Sequence, residues 1–155
     1  MIKVLVLLFL SMPLFAQRSI ELVLPSGQIM YITDEPANLA RLYPAVDIFN
    51  HKMEFKSKFP SYKGIPIREL LKDVKLGEES PKFLSEYYLV VEATDGYKVT
   101  YSWNEVFNQK GSEQIVLVTE SKSLEEDLPI ILNAGDIASG RRFVKNVKRI
   151  RIWRV

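Results

Sequence analysis

The sequence predicts a single α+β domain with a mixed, mostly antiparallel sheet and short helices. Short runs of alternating or wholly apolar residues, as found in strands, recur along the chain between turns that contain Pro or Gly. The segments with helix-start signals are short and lie apart from one another. Strands and helices therefore do not alternate regularly, as they would in a βαβ fold.

The first segment predicts a β-hairpin followed by a short helix. Residues 20–24 and 28–32 have extended patterns and flank a Pro-Ser-Gly turn. Thr33 supplies a capping oxygen shortly before Pro36, which is the pattern of a helix start. We expect Pro44 to end that helix, because proline cannot continue the hydrogen-bond ladder.

The next segment predicts one irregular strand and a second helix. Residues 46–55 favour a strand, but their periodicity breaks at Asn50-His51, which indicates a bulge or a bend. Residues 56–63 are polar and predict a loop. A helix is expected from Gly64 through Leu71, because the apolar side chains at positions 67, 70, 71 and 74 share one helical face.

The clearest strand signals follow a loop at residues 76–81. Residues 87–91 are almost wholly apolar, as in a strand covered on both faces. Asp95-Gly96 predicts a tight hairpin turn. The alternation over residues 97–102 then predicts a strand covered on one face, and Ser102 to Glu105 has the pattern of a capping box.

The last third of the chain predicts three more strands. Residues 115–118 and 129–132 favour buried strands. Residues 141–146 indicate a turn or a short helix. Residues 147–155 predict a final strand, with its isoleucines on one face and its arginines on the other.

The composition excludes several kinds of active site. The chain has no cysteine and one histidine, His51. Thiolate nucleophiles, disulfides, iron–sulfur clusters and Cys-bound zinc are therefore excluded, and any His-dependent triad has to use His51. The formal net charge of +2 favours no particular partner.

The N-terminal residues have the pattern of a secretory signal peptide. Residues 1–16 contain Lys3, an apolar run at positions 4–10 and Ala16 at a cleavage position. This apolar run is too short to span a bilayer comfortably, because a span takes about 20 apolar residues. The alternative to a cleaved signal peptide is an uncleaved membrane anchor. We expect an exported protein, periplasmic or secreted, with residues 17–155 as one domain and no stable membrane anchor after signal cleavage.

Five segments occur in an order that points to a family. They are YKGIPIRELL (62–71), VVEATDGY (90–97), SWNE (102–105), LPIIL with the following Gly135-Asp136, and RFVKNVKRI (142–150). Together they resemble the molybdopterin-binding domain of the sulfite oxidase family, over about residues 20–155. The resemblance implies an α+β domain that, in catalytic members, holds a molybdenum–pterin cofactor.

The resemblance also implies a cysteine thiolate on the metal, at a position that falls within residues 49–53 here. This segment contains His51 and Met53 but no cysteine. Neither an imidazole nor a thioether replaces a soft thiolate without changing the electronics of the metal. We therefore expect no catalytic molybdenum, although molybdopterin remains a cofactor that the family implies.

Arg141, Arg142 and Lys145 are the candidate cofactor-binding residues. In the family this region approaches the pterin and its phosphate. Guanidinium groups match phosphate geometry, and nearby glycines allow close backbone approach. The alternative is a solvated basic face beside a glycine-containing turn.

Other charged residues have simpler explanations. His51 as a metal ligand lacks a His or Cys partner, so a strand histidine with a backbone partner is favoured. Asp95 and Asp136 could pair as acid and base, but a turn and a cap account for them better. Four basic residues of the predicted final strand could extend an anion-attracting stripe, although their favoured role is to keep an edge strand from pairing with other chains. They are Lys148, Arg149, Arg151 and Arg154.

The aromatic residues predict packing more than binding. Tyr87, Tyr88, Tyr97, Tyr101 and Trp103 could line a cleft, but such residues usually form cores and cross-strand pairs. Interleaved aromatic and basic residues also bind single-stranded nucleic acid. Export argues against that partner, so we expect no nucleic acid.

Three functional hypotheses follow from the sequence. The first is an exported sulfite-oxidase-like binding or accessory module, with an anionic small molecule or an envelope protein as its partner. The second is a molybdopterin-dependent oxidoreductase that holds its cofactor without a Cys ligand. The third is a protein-interaction domain of the cell envelope that uses an exposed sheet edge.

Overall fold

The computed structural model describes residues 19–33, 37–77 and 80–155 as a mixed α+β fold with mostly antiparallel sheets and short helices. This confirms the predicted class. The predicted signal peptide and residues 34–36 of the predicted helix start lie outside the described residues. The strands are β1 (Ser19–Val23), β2 (Ile29–Thr33), β3 (Arg41–Tyr43), β4 (Val46–Phe49), β5 (Phe55–Phe59), β6 (Tyr62–Pro66), β7 (Tyr87–Ala93), β8 (Lys98–Ser102), β9 (Ile115–Glu120), β10 (Ile130–Asn133) and β11 (Val147–Arg154).

Short helices connect some of these strands. The three α-helices in the described part of the chain are α1 (Ile67–Leu71), α2 (Pro81–Leu84) and α3 (Trp103–Phe107). Four 3₁₀ turns accompany them, at Ala37–Leu39, Ser112–Gln114, Glu125–Asp127 and Ser139–Arg142. None of the helices seen over 19–33, 37–77 and 80–155 has both the length and the apolar character needed to cross a bilayer.

The strands form three layers. A five-stranded sheet has the order β2-β1-β11-β7-β8, in which only the β1–β11 pairing is parallel. A four-stranded antiparallel sheet has the order β10-β9-β6-β3, and β4 and β5 form a separate hairpin. Helices α1 and α3 contribute to the apolar core between the two larger sheets.

Alternation along the strands explains the two cores. Leu117 and Ile131 of the four-stranded sheet face the core that it shares with the five-stranded sheet. Their neighbours Val116 and Ile130 point the opposite way, into a second core with Ile48 of the β4–β5 hairpin. The four-stranded sheet is therefore buried on both faces, which accounts for its continuous apolar runs.

Local turn and capping predictions are confirmed. The β1–β2 hairpin turns at Gly27, whose φ of 84° suits glycine. Gly96, with φ of 89°, closes the β7–β8 turn in the same way. Ser102 and Glu105 form the predicted capping box at α3, with Glu105 N donating to Ser102 Oγ over 3.1 Å. Residues 115–118 and 130–132 are buried strand residues, as expected.

Several predictions in the first half are wrong. Arg41–Tyr43 is strand β3, not the end of a helix, because it pairs with β6. The expected single bulged strand at 46–55 is the β4–β5 hairpin, which turns at residues 50–53. Residues 56–63 are not a polar loop but belong to β5 and β6. The polar pattern of β5 arises because four of its five residues are exposed.

Further differences concern helix and strand limits. The chain from Gly64 to Pro66 is strand, so the second helix begins only at Ile67. Helix α2 lies just after the predicted loop and was not predicted. Strand β7 alternates between buried and half-buried residues, so it is fully covered on one face only. Residues 141–146 start within the 3₁₀ turn Ser139–Arg142, as a turn was expected there.

The final strand is the middle of its sheet, not an edge as predicted. Strand β11 lies between β1 and β7. Its arginines and lysine are tolerated there because glutamates on the neighbouring strands compensate them. Arg149 Nε donates to Glu21 over 2.5 Å, and Lys148 Nζ lies 3.1 Å from Glu92. The predicted division of faces is confirmed, since the isoleucines of β11 are buried.

Candidate functional site

Arg142 is the centre of a half-buried charged cluster. Its guanidinium donates to Asp136 through two nitrogens, with Nε 2.6 Å from Oδ2, and to Glu105 through Nη1. The guanidinium carbon also lies 4.7 Å from the ring centroid of Tyr101. The side chains of Arg142, Glu105 and Asp136 are 26%, 22% and 16% exposed. The cluster therefore holds two carboxylates and one guanidinium with limited access to water.

Each member of the cluster is fixed by local structure. The capping box places Glu105 in the first turn of α3. Asn133, at the end of β10, donates from Nδ2 to Asp136 over 2.8 Å and accepts from Gly135 N over 3.0 Å. Arg142 is the last residue of its 3₁₀ turn. Three separate elements thus meet at one guanidinium.

The electrostatics of the cluster oppose proton transfer near neutral pH. The hydrogen bonds that Arg142 donates to Asp136 and Glu105 hold its pKa above the ordinary value, against the opposing effect of burial. Burial raises the pKa of the Tyr101 phenol well above its ordinary value. The guanidinium therefore stays charged and the phenol stays neutral, so the cluster supplies fixed charge and hydrogen bonds.

Two hollows flank Arg142. The first, which we call the Arg141 hollow, has a volume of about 500 Å³ and lies between β8 and the 3₁₀ turn Ser139–Arg142. Tyr97, Lys98, Arg141 and Arg142 contribute to its lining. The second has about 300 Å³ and lies on the side of Asn133 and α3. Arg142 and Asp136 form the wall between them, since both residues line both hollows.

Arg141 differs from Arg142 in its surroundings. Its side chain is exposed, and no carboxylate in the described part of the chain forms an ion pair with it. Its backbone carbonyl accepts a hydrogen bond from the hydroxyl of Tyr97. The backbone is thus held against β8, while the guanidinium is available at the mouth of the hollow.

Lys145 lies apart from the two arginines. Its ammonium is 2.7 Å from Asp127 Oδ2 and 5.9 Å from the ring centroid of Phe143. It lines other cavities than the Arg141 hollow. The structure therefore brings Arg141 and Arg142 together but does not bring Lys145 to them.

The sequence did not identify the partners of these cations. Glu105 was recognised only as a capping residue, and Asp136 was considered as an acid–base partner of Asp95 or, as the favoured role, a cap or turn residue. Asp127 and Lys98 were not singled out. A capping box is a local signal, whereas the pairing of Glu105 with Arg142 joins positions 37 apart. Nothing in the local pattern announces such a pair.

The remaining sequence candidates are placed elsewhere. Asp95 accepts from Tyr97 N over 2.9 Å, as expected of a turn residue, while Asp136 is engaged by Arg142. Tyr101 and Trp103 are buried in the core. Tyr97 is 44% exposed and lines the Arg141 hollow instead.

Residues 49–53, where the sequence analysis looked for a metal-binding thiolate, form the end of β4 and the turn of the β4–β5 hairpin. His51 is exposed in the β4–β5 turn, so the predicted strand position is wrong. The chain has no thiolate to offer. Within 19–33, 37–77 and 80–155, no three carboxylate or imidazole side chains are grouped so that they could hold one metal ion.

The sequence matches no protein-family model and no curated protein.

Proposed function

We propose that this chain is an exported, sulfite-oxidase-like binding module without catalytic molybdenum, which binds a small anion in the Arg141 hollow. The observation that carries the proposal is the contrast between the two adjacent arginines. Arg142 is compensated by two carboxylates, whereas the charge of Arg141 is directed to solvent at the edge of a concave surface.

The charge of the hollow supports an anionic ligand. Lys98 and Arg141 bring two positive charges to its lining, while Arg142 is already compensated by Asp136 and Glu105. The backbone of Arg141 is also held by the Tyr97 hydroxyl, so it need not be ordered when a ligand binds. A phosphate or sulfate group is the ligand chemistry that suits a guanidinium beside an ammonium.

The resemblance to the molybdopterin domain is consistent with this location. In the family the corresponding region approaches a pterin phosphate. The hollow here is open and has about 500 Å³, which is enough for a mononucleotide-sized ligand. The chain would retain the anion-binding region of such a scaffold while lacking the thiolate of the metal site.

Calorimetric titration tests the proposal. The probes are inorganic phosphate and guanosine monophosphate, whose base shares the amino–oxo pyrimidine edge of a pterin. We expect guanosine monophosphate to bind more tightly than phosphate. Arg141→Ala should weaken both by about tenfold, which corresponds to one charge-assisted hydrogen bond of ~1.4 kcal/mol.

Arg41→Ala is the matched control. Arg41 is an exposed arginine on β3 that does not line the hollow, so its loss should leave both affinities unchanged. The proposal fails if neither probe binds, or if Arg141→Ala and Arg41→Ala weaken binding equally. Export is tested separately by the N-terminal sequence of the mature protein, which should begin at Gln17.

A second candidate function, a protein-interaction domain, is favoured by one observation. Strand β2 is one of the two edge strands of the described five-stranded sheet, and Ile29 and Tyr31 on it are 53% and 65% exposed. An exposed strand edge is a template for adding a strand from another chain. A photo-crosslinker at position 31 should then capture an envelope protein that one at the exposed position 82 of helix α2 does not, and equal or absent capture counts against this function.

A further inference from the structure

A cleft separate from the Arg141 hollow combines an apolar floor with a lysine rim. It has a volume of about 420 Å³ and lies between the β4–β5 hairpin and the chain around residues 123–124 and 140–145. Its apolar side chains are Ile48, Phe59, Pro60, Leu124 and Phe143. We call it the Phe143 cleft.

The floor of the cleft is part of a core. Ile48 and Phe59 are 5% and 2% exposed and belong to the second apolar core. Phe143 packs edge-on against Phe59, with ring centroids 5.3 Å apart and planes at 71°. Aromatic side chains held in this way present a rigid apolar surface, so a ligand need not order them on binding.

Close backbone packing fixes one wall of the cleft. A Cβ on Gly140 would lie 2.7 Å from the carbonyl oxygen of Phe49 and 3.1 Å from Ile48 Cγ2. Only glycine therefore lets this 3₁₀ turn approach β4 so closely. Ser139 Oγ fastens the turn by donating to the carbonyl of Asp47 over 3.0 Å. The cleft wall is thus fixed by contacts that do not depend on a ligand.

The rim carries positive charge that is only partly compensated. Lys56, Lys58 and Lys145 line the cleft. Lys58 lies 3.5 Å from Asp47, and Lys145 lies 2.7 Å from Asp127. These two carboxylates are not part of the lining and compensate their lysines from behind. No carboxylate of the described residues forms an ion pair with Lys56, so one positive charge remains beside the apolar floor.

We infer that the Phe143 cleft binds a small amphipathic monoanion, namely a carboxylate on an aromatic or branched aliphatic body. The body would lie on the half-buried side chains of Phe143 and Leu124, with Phe59 packed behind Phe143, and the carboxylate would meet Lys56. The volume is near the lower end of the roughly 300–1,000 Å³ typical of ligand pockets, which favours a compact ligand over a long acyl chain. This site goes beyond the proposed function, because it uses different residues and a different ligand chemistry.

Titrations followed by amide chemical shifts test the inference. The probes are 3-phenylpropionate and its neutral analogue 3-phenylpropionamide. We expect shifts confined to β5 and to the chain around Gly140 and Phe143, with the carboxylate binding about threefold or more tighter than the amide. Equal affinities for the two probes, or shifts spread over the whole surface, would overturn the inference.

Variants separate the contributions of charge and floor. Lys56→Gln should remove most of the preference for the carboxylate, whereas Lys52→Gln, on the β4–β5 turn outside the cleft, should keep it. Leu124→Asp places a negative charge in the floor and should weaken the carboxylate at least tenfold while the circular dichroism spectrum stays native. Retained affinity in a folded Leu124→Asp protein contradicts the inference.

Arg141→Ala distinguishes this site from the proposed function. It should leave binding of 3-phenylpropionate unchanged, since Arg141 does not line the Phe143 cleft. If Arg141→Ala abolishes that binding, the carboxylate occupies the Arg141 hollow and the inference is wrong. Failure of guanosine monophosphate to bind, by contrast, affects only the proposed function.

Discussion

Replacement of Arg142 by methionine should destabilise the fold, because it leaves two carboxylates near one another without their cation. Methionine keeps an apolar stem against Tyr101 and removes only the charge and the hydrogen bonds. Exposed ion pairs contribute about 0.2–1 kcal/mol, and breaking a fully buried pair costs about 3–5 kcal/mol. The side chains of the cluster are 16–26% exposed, so an intermediate loss of about 2 kcal/mol is expected.

Thermal denaturation at neutral pH measures this loss. For a domain of this size, ~1 kcal/mol corresponds to about 4 °C, so Arg142→Met should lower Tm by about 8 °C. The origin of the effect is tested in a background that carries Glu105→Gln and Asp136→Asn. There the same replacement should cost less than about 0.5 kcal/mol, because no uncompensated charge remains.

Two results would refute the reasoning. One is an Arg142→Met protein that melts within about 2 °C of the unchanged protein. The other is an equal loss in the presence and absence of the two carboxylates, since the arginine would then act through packing alone.

Three further predictions concern buried groups. The Tyr62 hydroxyl is buried with no hydrogen-bond partner in the described chain, so Tyr62→Phe should leave the free energy of unfolding unchanged or raise it by up to ~1 kcal/mol. Tyr101→Phe should lower the free energy of unfolding, because it loses a hydrogen bond to a backbone carbonyl. A clear loss of stability in Tyr62→Phe contradicts this reasoning. Burial raises the pKa of both tyrosines, so folding favours the neutral phenols, and stability that is complete below about pH 10 should fall as the pH rises further. Phenolate absorbance checks this, and titration of all seven tyrosines in the folded protein with one ordinary midpoint would rule it out. Gly64→Ala places a Cβ 2.3 Å from Val116 Cγ1 and 2.7 Å from the carbonyl oxygen of Leu117. Chemical denaturation should therefore show that the free energy of unfolding falls by about 2 kcal/mol or more. A fall below ~0.5 kcal/mol would show that β6 can shift away from β9.

Local signals allowed much of the second half of the fold to be predicted. The Asp95-Gly96 turn and the capping box of Ser102 and Glu105 involve residues within a few positions of each other, and their geometry follows from backbone preferences. Strand β5 was missed for the opposite reason. Most of its side chains are exposed to solvent, so its polar pattern resembles that of a loop.

The rest of the fold could not be predicted, because it depends on pairing between residues that are far apart in the sequence. The basic residues of β11 indicated an edge strand, yet Arg149 is compensated by Glu21, which is 128 positions away in the sequence. The candidate site shows the same limit. Arg141 and Arg142 were identified together with Lys145, but the different environments of the two arginines depend on Asp136 and Glu105, which reach only Arg142. Whether a cation is free or compensated is a property of the tertiary structure.

The central position of β11 has a consequence for the order of folding. In the described part of the five-stranded sheet, the β1–β2 and β7–β8 hairpins are joined through β11, which follows all four of their strands in the sequence. A nascent chain that has not yet reached Val147 therefore holds two half-sheets with unsatisfied edges and cannot close its main core. Completion of the sheet thus depends on Val147–Arg154, although both hairpins can form before that segment is available.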